Sequence, residues 1–92
     1  MKKLRWSLAA ANDLEEISNY LHLHHPSFAA RTIQRLYSAA KSLKEHPYTG
    51  RPGKKDGTRE LVLAPLPFLM IYAVDDQSIQ VLRFLHTAQD RS

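Results

Sequence analysis

From Lys2 to Trp6 the chain alternates basic and apolar side chains, Lys2-Lys3-Leu4-Arg5-Trp6. A two-residue period predicts a strand with one buried face, here Leu4 and Trp6. Beyond Ser7, which suits a helix N-cap, the spacing changes. Ala10, Leu14, Ile17 and Leu21 recur every three or four residues and share one stripe of an amphipathic helix. Asn12, Asp13, Glu15, Glu16 and Asn19 are expected on its opposite, solvated face. His25-Pro26 ends the pattern, because the residue before proline is pushed out of the α region while proline itself suits a new first turn. Ala29, Ile33, Leu36, Ala40 and Leu43 then form a second stripe, with Arg31, Gln34, Arg35, Lys41 and Lys44 off it. So short a join predicts a helical hairpin. Pro47 is expected to stop the second helix, and Gly50-Arg51-Pro52-Gly53 to continue a loop without regular structure.

From Thr58 the two-residue period returns. Arg59, Leu61 and Leu63 alternate with Glu60, Val62 and Ala64, and Pro65-Leu66-Pro67 turns the chain. Phe68 to Val74 is almost continuously apolar, which predicts a strand buried on both faces. Asp75-Asp76-Gln77-Ser78 makes a tight turn into a last strand, Ile79 to His86. Strict alternation there puts Ile79, Val81 and Arg83 on one face and Gln80, Leu82 and Phe84 on the other. The order is strand, two helices, three strands. It predicts an α+β fold: an N-terminal strand, a helical hairpin, then a three-stranded antiparallel meander, with the helices on one sheet face.

Ninety-two residues with 43% hydrophobic and 24% charged side chains bound this to one domain, residues 1–92, around one core. The chain contains no cysteine, so a disulfide framework, thiolate metal binding and a cysteine nucleophile are excluded. The apolar stretch Leu8 to Ala11 is too short for a secretion signal, and no segment approaches membrane-spanning length. The reading therefore places the chain in a reducing cytoplasm, with no membrane partner. The net charge of +4 is modest, but its distribution is uneven. Arg51, Lys54, Lys55 and Arg59 crowd one loop against a single Asp56, which makes that loop the candidate target-facing surface. His22-Leu23-His24-His25 lacks the three or four converging ligands that zinc needs, and dipole and capping account for histidines at a helix C-terminus. Neither a metal nor a cofactor is called for.

The elements carry a recurring set of residues: Trp6, Ala11, Asp13-Leu14, Ile17 and Tyr20; Pro47 and Gly50-Arg51; Gly57 and Arg59-Glu60-Leu61; Pro67-Phe68 and Ile71-Tyr72; Leu82-Arg83, His86, Ala88 and Asp90. In order and spacing, from about residue 4 to 91, this set resembles the RelE/ParE toxin superfamily. The resemblance implies a toxin silenced by a cognate antitoxin protein. It also implies one of two activities: cleavage of messenger RNA on the ribosome, or inhibition of DNA gyrase.

Metal-free RNA cleavage needs a base for the 2′-hydroxyl, an acid for the leaving oxygen and cations for the phosphate. Arg59, Arg83 and His86 are the candidates for those roles. The same three, with Arg51, Lys54 and Lys55, are the target-binding candidates if the protein acts by binding. RNA-cleaving relatives commonly carry an arginine just before the apolar-Tyr end of the third strand, where this chain has Leu69 in the run Phe68-Leu69-Met70-Ile71-Tyr72. A leucine cannot stabilise charge on phosphorus. That departure, with the closing segment from Leu82 to Arg91, turns the resemblance towards the ParE-like branch and DNA gyrase, and leaves ribonuclease activity as the alternative. A binding module that has lost its toxicity is the third reading. Leu66, Phe68 and Met70 are the expected antitoxin contacts.

Overall fold

The computed structural model describes residues 2–87. Strand β1 (Lys3–Trp6) leads into helix α1 (Leu8–His24), which turns at His25 into helix α2 (Pro26–Ser42). Strands β2 (Arg51–Pro52), β3 (Thr58–Val62), β4 (Phe68–Val74) and β5 (Ser78–His86) follow. The described residues build a five-stranded sheet in the order β1-β5-β4-β3-β2. Neighbours are antiparallel except β1, which lies parallel to β5, so the sheet is mixed. Among the described residues no helix is long and apolar enough to cross a membrane. The closing motif from Ala88 to Arg91 lies outside the described residues.

The helices form where the pattern placed them. The Ser7 backbone is extended (φ −71°, ψ 159°), and its Oγ accepts from the Ala10 N–H at 2.9 Å. The same hydroxyl donates to the Leu82 carbonyl at 2.8 Å, so one side chain caps α1 and ties its start to β5. Pro26 opens α2 because the first turn needs no donor there. The α2 stripe is buried at Ala29, Leu36, Ala40 and the following Leu43. It packs with Ala10 and Leu14 onto Phe68, Met70, Tyr72, Ile79, Val81 and Phe84. The helical hairpin thus covers one sheet face.

Four expectations need correction. Helix α2 ends at Ser42, and turns carry the chain through Leu43–Glu45 before Pro47 is reached. The loop after Gly50 contains β2, a two-residue strand held against Glu60 and Arg59, so its prolines do not exclude edge pairing. In β5 the alternation slips by one residue: Tyr72 opposes Val81 while Ile71 opposes Arg83, leaving Leu82 as an extra residue. The bulge returns Phe84 to the buried side with Ile79 and Val81 and leaves Arg83 exposed. Asp13, expected in solvent, is buried. Its spacing from Ala10 and Ile17 puts it on the apolar stripe.

The loop before β2 is anchored from beneath. Tyr72 is fully buried in β4, and its hydroxyl accepts the Gly50 N–H at 2.9 Å. A Cβ on Gly50 would lie 2.8 Å from both the Tyr72 hydroxyl and the Glu60 carbonyl, so only glycine fits this approach. Burial raises the Tyr72 pKa, against smaller opposing effects of the Gly50 hydrogen bond and the nearby Arg59 charge.

Two outcomes follow for thermal melting. Leu36→Ala empties a fully buried site under both helices and should cost about 2–5 kcal/mol, whereas a similar loss for exposed Arg35→Ala would contradict the packing. A folded-state pKa raised above the unfolded one gives Tyr72 a stabilising contribution that is complete below the ordinary phenol value of 10.0. That contribution is lost as pH rises past 10.0 towards the raised value. Tyr72→Phe should remove this alkaline loss and, by leaving the Gly50 N–H unpaired, cost about 1–3 kcal/mol at neutral pH. Equal alkaline slopes in both proteins would contradict the assignment.

Candidate functional site

The candidate residues fall into two groups on different parts of the sheet. The first lies around β2, at the edge of the sheet order. Arg51 pairs with the buried Glu60 carboxylate, donating from Nη2 at 3.0 Å and Nε at 3.3 Å to Oε1. Lys54 and Lys55 sit exposed in the β2–β3 turn, where the Lys55 carbonyl accepts from both the N–H and the hydroxyl of Thr58. Arg59 points its Nη1 at the carbonyls of Gly50 and Tyr48, and its guanidinium lies 5.1 Å from the centroid of the exposed Tyr48 ring. Arg59 therefore holds the loop to the sheet.

The second group lies where β1 runs out. Strand β1 pairs with β5 only as far as Trp6 opposite Val81. Among the described residues no strand pairs with β5 on this side beyond Val81, and α1 passes there. Asp13 on α1 supplies what the missing strand would. Its Oδ2 accepts the Phe84 N–H at 3.0 Å. The same carboxylate takes Arg83 in a fork, Nε to Oδ2 at 2.6 Å and Nη2 to Oδ1 at 3.0 Å. The hydrogen bond and the charge of Asp13, in that order, raise the Arg83 pKa and keep the guanidinium protonated.

Around this pair a cleft of about 560 Å³ opens between α1 and the end of β5. Ile17, Leu21, Phe68, Phe84 and Leu85 give it apolar walls. Asp13 and Glu16 face it from the helix, Arg83 and His86 from the strand, and Leu66 and Pro67 close one end. The His86 and Phe68 rings meet edge to face with centroids 5.7 Å apart.

The sheet does not bring Arg59, Arg83 and His86 together. Arg59 opposes Tyr72, which opposes Val81; His86 lies five residues further along β5. Strand spacings put the Arg59 and His86 Cα atoms roughly 15–20 Å apart. Arg83 opposes Ile71, the neighbour of Tyr72, and so starts from the other sheet face. A general acid and base must each reach within about 3 Å of the reacting atoms, and the register sets the Arg59 backbone apart from those of Arg83 and His86. Leu69 is 1% exposed and opposes Val62 and Leu85, outside the core beneath the helices. Leu69 is thus a packed apolar site.

Of the expected antitoxin contacts, Leu66 and Phe68 line the cleft, but Met70 is fully buried beneath the helices and is corrected to a core residue. The histidines cluster at the hairpin tip as structural neighbours. His22 Nδ1 lies 2.8 Å from the Ser18 carbonyl, and His24 and His25 flank the Tyr20 ring. Sequence reasoning missed Asp13 as a site residue. Its signal was a lone carboxylate on an apolar helical stripe, which demands a buried partner.

Residues 4–91 match the family described as "ParE toxin of type II toxin-antitoxin system, parDE". The putative toxin Y4kP of Sinorhizobium fredii is 39% identical, covering 96% of this chain and 91% of that protein. Toxin RelE2 of Caulobacter vibrioides is 36% identical over 97% of this chain and 99% of its own length. Among solved structures, the chromosomal ParDE system from P. aeruginosa superposes with a TM-score of 0.84 at 30% identity, covering 94% of this chain and 96% of that one. The E. coli DinJ–YafQ complex, 15% identical with a TM-score of 0.69, shares the fold. On a match that spans both helices and all five strands, the chain belongs to the ParE toxin family of type II toxin–antitoxin systems.

Proposed function

We propose that the protein inhibits DNA gyrase by binding it and breaks no bond itself. The observation that carries this reading is the separation of Arg59 from Arg83 and His86, each already committed to the fold in its own way. Arg59 secures the loop at one edge, and Arg83 is held by a buried carboxylate at the other. Among the described residues such an arrangement offers two contact surfaces to a large partner, with Arg59 apart from Arg83 and His86. The packed Leu69 removes a further phosphate contact.

The antitoxin partner is supported by the family and by the ParDE and DinJ–YafQ assemblies that share the fold. Its seat in this reading is the cleft between α1 and the end of β5. The apolar walls of that site suit an amphipathic segment. A segment seated there covers Arg83 and His86. Silencing is then direct occlusion of one of the two target surfaces.

Purified toxin should block supercoiling by gyrase in vitro, and normal supercoiling at saturating toxin would sink the reading. Message cleavage by ribosomes in the presence of toxin would replace it with the ribonuclease alternative. For the seat, Leu66→Asp places a charge at the mouth of the cleft. It should weaken neutralisation by the co-produced antitoxin about tenfold or more while supercoiling inhibition by the free toxin stays within about twofold. Unchanged neutralisation would move the antitoxin elsewhere.

A further inference from the structure

Asp13 and Arg83 are seventy residues apart in sequence, yet they form a two-point ion pair in the cleft. The carboxylate side chain is 10% exposed and the guanidinium side 48%. The buried partner is therefore fixed, and the half-exposed one is steered by it. The fork uses the Nε and one Nη2 hydrogen of Arg83. Three of the five guanidinium hydrogens remain on the edge turned away from Asp13. An arginine held in this way loses little rotamer freedom when that outer edge meets an acceptor.

The charge count decides what the acceptor is. Asp13 neutralises Arg83, and Glu16 on the same wall adds a further negative charge that acts on the guanidinium. Among the described residues that line the cleft, two carboxylates thus stand against the one guanidinium, which disfavours a polyanion. The arrangement leaves a directional donor suited to a carbonyl or carboxylate on a protein surface. The other cationic group, Arg51, Lys54 and Lys55, lies at the far edge of the sheet and does not change this balance.

We infer that Asp13 is a positioning residue for Arg83, and that the outer edge of the Arg83 guanidinium engages an oxygen acceptor on the target protein and not a nucleic-acid phosphate. The inference rests on the reading that Arg83 meets the target. Among the described residues the Asp13 carboxylate accepts hydrogen bonds from Arg83 and the Phe84 N–H. Its loss acts through orientation.

The test compares wild type, Asp13→Asn, Arg83→Gln and the double variant for half-maximal inhibition of gyrase supercoiling, with melting temperature measured in parallel. Asparagine still offers an oxygen to the Phe84 N–H but no charge to the arginine. The double variant leaves no buried carboxylate unpaired, so it keeps the comparison usable if Arg83→Gln folds poorly. Each single variant should lose about tenfold in potency, and the double should lose no more than Arg83→Gln alone. The loss caused by Arg83→Gln should stay constant within about twofold between about 50 and 200 mM salt, whereas a phosphate contact would shrink it about threefold. Full potency of Asp13→Asn beside an impaired Arg83→Gln overturns the positioning role and leaves gyrase binding intact. So do additive losses, or losses that track melting temperature. A loss that shrinks with salt overturns the protein acceptor. Full potency of all variants removes Arg83 from the target surface and the inference with it, and failure of wild type to inhibit gyrase removes the underlying reading.

Discussion

The arrangement of this toxin depends on one carboxylate placed where a strand is missing. Strand β1 covers β5 only to Val81, and an uncovered edge presents backbone donors that must be satisfied. Asp13 satisfies the Phe84 N–H and holds the neighbouring Arg83 at once. With the Ser7 hydroxyl on the Leu82 carbonyl, it fastens α1 along the edge without a sixth strand. The cleft exists because this fastening stops there. Beyond Phe84 the cleft is lined by Ile17, Leu21, Phe68 and Leu85.

The opposite edge is built on a different logic. There a two-residue strand is held by side chains more than by its own ladder: Arg51 on Glu60, Arg59 on the loop carbonyls, and Tyr72 under Gly50. Positive charge at this edge is partly spent on fastening the loop. Lys54 and Lys55 lie exposed on the β2–β3 turn. The two edges are separate surfaces, and a partner that meets both must be larger than a single nucleotide.

The fold was legible in the sequence wherever one physical rule acted alone. Alternation at Leu4 and Trp6, the Ser7 cap and the stripes from Ala10 to Leu21 and Ala29 to Leu43 each specify one answer, and the elements form there. Legibility failed where a tertiary contact overrode the local pattern. The extra residue at Leu82 reversed the faces of Arg83 and Phe84, and no periodicity announces a bulge. Asp13 looked like a solvated helix residue because its partner lies seventy positions away. Met70 looked like a surface contact because a continuously apolar strand does not show which face the helices take. The sequence names Arg59, Arg83 and His86 together, but only the strand register shows that Arg59 stands apart from the other two along the sheet.

The central claim is that this family member stops replication by engaging gyrase. It is tested most directly by inducing the toxin without its antitoxin and following incorporation of labelled thymidine and labelled methionine in the same culture. The account predicts that thymidine incorporation falls first while methionine incorporation continues. An immediate arrest of methionine incorporation, with thymidine incorporation outlasting it, would contradict the account.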